Sequence, residues 1–392
     1  MKKKQQIIPL AYHFYILPIT LICLIGFFSS AYLAHVHYKN YTDITFSSVC
    51  AISKAINCDT VAQSSLSILF SLPLAYYSIF CFLLLSILIL STWRKRQLTR
   101  WWLIFFIAVC CSLASLYFGY LSAAKIKSYC IFCLTCYGCF FAITFYSFII
   151  IKRFKIEVSW AAYQKTLLGL FRDKVTVSLI LLLLCSLFSL QRWIPHYWQL
   201  EFASPDQEIA SGFTEDHHPW IGAEQPQLVI HEYTDYLCFQ CYKMHFFLRQ
   251  LVEQYPDAIR IVHHNFPLDH LFNPVVGTEP YHVGAGKMAL VAIRMAEQEK
   301  FWQLHDELYK IARQGKVLDL AKLGEKININ PDYLASAFYD PGVLNLLKKD
   351  IYRGIQQGII VTPSFVIEDN TYSGTLPEDI LDRILQQESH SK

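Results

Sequence analysis

The sequence predicts a chain of two parts, an α-helical membrane bundle followed by an α/β domain, and three observations carry that prediction. The composition is 54% hydrophobic and 17% charged over 392 residues, too apolar for an ordinary globular chain. The excess lies almost entirely before about residue 195, in five runs close to the ~20 residues a spanning helix needs. Beyond about residue 200 the pattern turns to strand-like alternation and amphipathic helical periods.

The five runs are Leu10 to Tyr32, Ser67 to Leu90, Trp101 to Ala123, Tyr129 to Ile151 and Val175 to Ile194. The first follows Lys2, Lys3 and Lys4 and has the shape of a secretory signal, but four more spans favour an uncleaved anchor. Basic residues of short connections stay on the cytoplasmic side. They crowd the N-terminus, the segment after the second span (Arg94, Lys95, Arg96, Arg100) and the segment after the fourth (Lys152, Arg153, Lys155, Lys165, Arg172, Lys174). The alternate loops hold only Lys39, Lys54, Lys125 and Lys127. The N-terminus is therefore expected in the cytoplasm, and five crossings put the C-terminal domain outside, on the periplasmic face of the inner membrane.

That topology sets the compartment of the cysteines. Cys50 and Cys58 fall in the first outer loop, Cys130 and Cys133 at the outer end of the fourth span, and Cys238 and Cys241 in the outer domain. All six lie where disulfides persist. The remaining seven, among them Cys81, Cys136 and Cys139, lie within spans and read as packing. Cys130, Cys133, Cys136 and Cys139 at spacing three do not read as an iron-sulfur string, because one continuous helix spreads them along its surface. Nor does either Cys-x-x-Cys unit have a histidine at ligand spacing, so no metal is expected.

In the outer region, Pro205, Gly212 and Pro219 mark a linker. Gln227 to Tyr233 then reads as a strand, Phe239 to Tyr255 as a helix and Ile259 to Phe266 as a strand. Several helices are expected from Gly284 to about Leu346, then a hairpin of Ser364 to Ile367 and Thr371 to Ser373 across Asp369-Asn370. A helix over Glu378 to Gln386 closes the pattern. A thiol at a helix N-terminus feels the positive end of the dipole, so Cys238 is the expected low-pKa nucleophile and Cys241 its resolving partner. Glu232 is a carboxylate placed to move a proton near this pair, or a structural residue. His263, His264 and His282, with no ligand partner in sequence, read as ordinary core or surface histidines. Asp59 reads as the cap of a short helix after the first outer loop.

The order strand, Cys-x-x-Cys, helix, strand, helical insertion, hairpin and helix resembles a thioredoxin-like domain with an inserted helical subdomain. The stretch Glu232-Tyr233-Thr234-Asp235-Tyr236-Leu237-Cys238 is similar to the DsbA-like branch, and Thr362-Pro363 to its cis-proline loop, implying that Thr362 and Pro363 dock substrate. Residues 10 to 150 resemble the vitamin K epoxide reductase family. The likeness rests on the loop pair Cys50 and Cys58, on Asn57-Cys58-Asp59-x-Val61-x-x-Ser64 leading into Phe70-x-x-Pro73, and on Cys130-x-x-Cys133 at the start of the last helix of a four-helix bundle. Ser71 departs from that pattern, where glycine is usual. Bacterial members are often fused through one more span to a thioredoxin-like domain.

The resemblances imply three parts. These are a four-helix membrane domain over 1–152, a cytoplasmic loop with a fifth, linking transmembrane helix and the start of a linker over 153–199, and an extracytoplasmic DsbA-like domain over 200–392. They further imply a thiol:quinone oxidoreductase that forms disulfides. Electrons would pass from reduced secreted or periplasmic proteins through Cys238/Cys241, then Cys58/Cys50, then Cys130/Cys133, to a membrane ubiquinone or menaquinone facing Tyr137 and Ser64. The lipid bilayer is a partner in this reading and nucleic acid is not. The alternative runs electrons outward, as a conduit feeding an extracytoplasmic reductase or isomerase. It would need cysteines reachable from the cytoplasm, and the cytoplasmic loops as placed hold none.

Overall fold

The computed structural model describes residues 12–377 and 380, without 45, 53–54, 96, 157–159, 200–208, 297 and 299, and without the side chains of 160–163 and 165. It divides into two compact units, Met1–Gln199 and Leu200–Lys392.

The first unit runs α1 (His13–Thr42), α2 (Cys58–Gln63), the short strands β1 (Ile68–Leu69) and β2 (Leu72–Pro73), α3 (Leu74–Lys95), α4 (Trp101–Leu121), α5 (Ile131–Arg153), α6 (Trp160–Phe171) and α7 (Lys174–Trp193). Among the described residues, five helical segments are long and apolar enough to cross a membrane, in the order the sequence predicts. Two boundaries differ most. α1 continues past Tyr32 to Thr42, because its last turns bury the polar residues His37, Asn40 and Tyr41, with Asn40 bonded to Asp59 and Gln63 of α2. α3 starts at Leu74 rather than Ser67. The residue before a proline avoids the helical region, and the chain ahead of Pro73 instead turns through Phe70 and Ser71 at φ 46° and 57°. α6 occupies part of the segment expected to be a loop.

The bundle core is built from one stripe of each spanning helix, including Ile19 and Cys23 of α1, Phe82 and Leu85 of α3, Ile104 of α4 and Ile143 of α5. Phe82 stacks on Phe140 at 4.2 Å and lies over Gly26, where any side chain would overlap its ring; α1 and α3 approach closely there because the position is glycine. At the start of α7, Asp173 lies 2.6 Å from Arg94 Nη2 and 3.0 Å from Arg100 Nη1, and accepts from Thr176 Oγ1 at 2.7 Å. Desolvation pushes its carboxyl up, but Thr176, Arg100 and Arg94 together outweigh it and hold the group at about 2.

The second unit continues with β3 (Ser211–Phe213), β4 (Pro219–Gly222), β5 (Leu228–Thr234), α8 (Phe239–Gln254), β6 (Ile259–Asn265), α9 (Ala285–Met295), α10 (Phe301–Arg313), α11 (Leu320–Ile327), α12 (Pro331–Ser336), α13 (Pro341–Gln356), β7 (Ser364–Ile367) and β8 (Asn370–Ser373). The six strands form one sheet in the order β3-β4-β6-β5-β7-β8, with β5 and β6 parallel and the other neighbours antiparallel. The core strands and helices follow the predicted order. The hairpin turn falls one residue early, at Glu368 and Asp369, which take φ 49° and 65°. The predicted closing helix lies largely outside the described residues.

β3 and β4 were hidden in what reads as linker, because the residues that look like breakers serve packing. Gly212 lies under the Trp220 ring, and Gly222 sits at φ 117° where a Cβ would overlap the Ile259 carbonyl. Pro205 lies outside the described residues.

Candidate active site in each unit

In the second unit, β5 delivers the chain to a tight turn at its C-terminal end, and α8 starts there. Asp235, 1% exposed, fixes the turn: its Oδ1 accepts from Leu237 N–H and its Oδ2 from Leu268 N–H, both at 2.6 Å. Cys238 is the N-cap of α8, its sulfur accepting from Cys241 N–H at 3.4 Å. Its thiol donates to the carbonyl of Thr362 at 3.3 Å, and the Thr362-Pro363 bond is cis. The predicted docking loop thus lies beside the predicted nucleophile. Cys241 is wholly buried one turn in, its sulfur accepting from Asp235 N–H at 3.5 Å.

The two thiols are driven apart. The Cys241 side chain, hydrogen-bonded to Cys238, is the largest influence drawing Cys238 down to about 7; desolvation and Asp235 oppose it, while His282 and the Cys241 N–H assist. Burial, and then Cys238, push Cys241 well up. One cysteine is equipped to attack and leave as thiolate, the other to keep its proton.

His282 is the residue sequence reasoning missed. Its Nδ1 lies 2.8 Å from Asp235 Oδ2, and Tyr281 stacks on its ring at 4.2 Å. The Phe239-Gln240 dipeptide supplies no cation, and His282, on a loop 44 positions after Cys238, helps to draw its thiol down. The other histidines also have carboxylates beside them, which corrects the expectation that they lack partners. β5 and β6 set Glu232 opposite His263, with 3.2 Å from Oε1 to Nδ1, and His264 faces Asp350 from the other side of the strand.

In the first unit, the loop between α1 and α2 is pinned to the approach to α5. Tyr129 N–H donates to Ala55 O at 2.8 Å and Asn57 N–H to Tyr129 O at 2.9 Å, a short parallel bridge through Ile56. Asn57, not Asp59, caps α2, accepting from the N–H groups of Asp59 and Thr60. Asp59 is buried and grips the loop from beneath, accepting from Ser48 N–H and Asn40 Nδ2, each at 3.0 Å. The polar end of α1 therefore carries the loop.

This frame gathers sulfur. Cys50 and Cys58 form a disulfide with Cα atoms 5.6 Å apart. The sulfurs of Cys50, Cys58 and Cys130 all lie within 4.8 Å of one another, and the three residues are at most 2% exposed. Cys130 is the N-cap of α5, its sulfur accepting from Cys133 N–H at 3.2 Å. Cys136 faces α1, 3.3 Å from Ser30 Oγ. An apolar cavity of about 210 Å³ lies between Cys58, Cys133 and Tyr137 and extends to Cys81, Cys111 and Phe140. Ser64 is placed differently from the expectation. Its Oγ accepts from Leu66 N–H at 3.1 Å, and Ser67 lines the cavity in its stead.

A nucleophilic cysteine at a helix N-terminus with a buried partner, in a sheet of this topology, defines a thiol-disulfide oxidoreductase, and a second cysteine system sits in the helical unit. Residues 17–148 match the Vitamin K epoxide reductase family and residues 214–387 a Thioredoxin family, one match in each unit. Among solved structures, a thioredoxin-like oxidoreductase from Silicibacter pomeroyi is 19% identical, covering 44% of this chain and 93% of its own at a TM-score of 0.34. Wolbachia pipientis alpha-DsbA1 is 16% identical, covering 45% and 92% at 0.36. The chain also matches the Na(+)/H(+) antiporter NhaA 3 of Salinispora tropica at 24% identity over 153 residues, 39% of this chain, and spans 22% of the length of that curated relative.

Proposed function

We propose that the chain oxidises protein thiols outside the cytoplasmic membrane and passes their electrons to a membrane quinone. The gathering of three sulfurs within 4.8 Å of one another, beside an apolar cavity lined by Cys133, carries this reading. With the N-terminus in the cytoplasm, all three cysteine pairs face the oxidising side.

The steps balance as thiol-disulfide exchanges. A substrate thiolate attacks Cys238 of the Cys238–Cys241 disulfide, Cys241 leaves, and the second substrate thiol resolves the mixed bond, releasing the substrate's new disulfide. The Cys238 thiolate then attacks Cys58, displacing Cys50; Cys241 resolves, and the loop pair is reduced. Cys50 attacks Cys130 of a Cys130–Cys133 disulfide, displacing Cys133, and Cys58 resolves. The Cys130/Cys133 dithiol must then lose two electrons and two protons.

The cavity residues fit a quinone. Phe118, Leu121 and Phe140 offer an apolar wall, Tyr137 offers a hydroxyl, and Cys133 stands at the same wall. A quinone held there accepts two electrons and two protons. The chain's part is to hold Cys133 against the ring, exclude water and present the Tyr137 hydroxyl.

The test is anaerobic mixing of the purified chain with a reduced dithiol peptide and a soluble ubiquinone or menaquinone analogue, following quinol formation. Wild type is expected to turn over, and Cys133→Ala to form a peptide disulfide at most stoichiometrically, without quinol. Quinol formation at the wild-type rate in Cys133→Ala would overturn the relay.

A further inference from the structure

Because a strand alternates its faces, the neighbours His263 and His264 on β6 meet different surroundings. His264 is 2% exposed and stacks on Tyr233 at 4.6 Å. Its Nε2 lies 3.0 Å from His231 Nδ1, while its Nδ1 has no hydrogen-bond partner and lies 3.6 Å from Asp350 Oδ1. His218 approaches the same oxygen from the β3–β4 turn, Nε2 at 2.6 Å, held there by the Thr214 Oγ1 that accepts from its N–H at 3.0 Å. The other oxygen of Asp350 accepts from Asn265 N–H at 3.0 Å.

Two imidazole nitrogens and one carboxylate oxygen therefore converge within 4.8 Å. The outer atoms of His264 and Asp350 are taken by His231 and the Asn265 backbone, the kind of support that orients metal-ligating side chains. A cavity of about 250 Å³ reaches His218 and Asp350, with His264 buried behind them, and is bordered by Glu215, Asp216, Lys349 and Arg353. Arg353 is engaged by Asp216 at 2.8 Å. The second convergence, Glu232 with His263 and His305, is buried throughout.

We propose that His218 Nε2, His264 Nδ1 and Asp350 Oδ1 bind a divalent first-row metal ion of the zinc type, with a fourth position open to water from the cavity. Two nitrogens and one oxygen suit zinc-like ions, whereas calcium and magnesium want oxygen throughout. The ligands come from the turn before β4, from β6 and from α13, so the ion staples the first hairpin of the domain to its central sheet and longest late helix. It also satisfies the His264 nitrogen that otherwise has no partner. The site is separate from the cysteine chemistry and does not depend on it.

The test uses the full chain in detergent with its free thiols alkylated, so that cysteine cannot bind metal. Cobalt(II) titration is expected to give visible d–d absorption that saturates at one equivalent, and zinc(II) to raise the melting temperature. His218 is partly exposed, so His218→Gln is the variant of choice; it is expected to weaken cobalt binding at least ~10-fold, whereas Glu232→Gln leaves it unchanged. X-ray absorption at the zinc edge of the wild-type chain is expected to report two imidazoles and oxygen, which keeps the test independent of how any variant folds. No saturable absorption, unchanged binding in His218→Gln, loss of binding in Glu232→Gln, or a ligand shell without two imidazoles would each overturn the proposal.

Discussion

Replacing His282 by glutamine removes one of the influences that, after the Cys241 hydrogen bond, draw the Cys238 thiol down, and the consequence can be worked through from the thiol's position at about 7 against an ordinary 9.0. At pH 6 the ionised fraction of Cys238 is about a hundredfold above that of an ordinary thiol, while its lower basicity costs roughly tenfold in nucleophilicity. The net expectation is ~10-fold faster alkylation at pH 6 and ~10-fold slower alkylation above pH 9. Because the shift is downward, the stabilisation of the reduced fold is fully present above pH 9 and lost as pH falls through 7. Its ceiling is about 3 kcal/mol, or ~60 mV in the potential of the pair. The assay is iodoacetamide alkylation of the reduced chain across pH 5–10, read at Cys238 by peptide mass spectrometry. Wild type should show a midpoint near 7 and His282→Gln a higher one. A wild-type midpoint near 9, or one that His282→Gln leaves in place, would refute this account of how the nucleophile is activated.

Further outcomes follow from positions away from the sulfurs. Ser71→Gly, at φ 57°, should stabilise the first unit by ~1 kcal/mol, seen as a higher melting temperature in detergent. Arg100→Met removes one of the two cations of Asp173 while Arg94 stays, and should destabilise by ~1.5–3 kcal/mol; a change under ~0.5 kcal/mol in a denaturant melt would contradict the ion-pair reading. Gly222→Ala forces a side chain into the left-handed region and against the Ile259 carbonyl, so a loss of more than ~3 kcal/mol is expected, reported by the thermal melt of the second unit.

Periodicity made the spanning helices and the β5-α8-β6 core legible, because each pattern lasts long enough to repeat. The first hairpin was not, since Gly212 and Pro219 read as breakers when only the Trp220 ring and the neighbouring strand explain them. Cysteine spacing made both reactive pairs visible. The Thr362-Pro363 loop was legible through its resemblance, but the roles of Asp235 and His282 were hidden, because no local pattern ties a loop histidine to a distant thiol. Asn57 and Asp59 show the same limit at short range: either could cap α2, and only the Ser48 amide and the Asn40 side chain decide that Asp59 is engaged elsewhere.

The grip of Asp59 on Ser48 also sets a leash. Cys50 is two residues from that anchored amide, so a sulfur freed there can stray from it by only ~7 Å of extended chain. Cys58 is held at the rigid start of α2, and Asn57 beside it is tied to Tyr129. Of the two loop sulfurs, Cys50 is thus the one that can travel, and it travels within a sphere that contains Cys130. In the proposed relay, exchange between them would be a first-order event at an effective concentration in the millimolar range or above, insensitive to dilution.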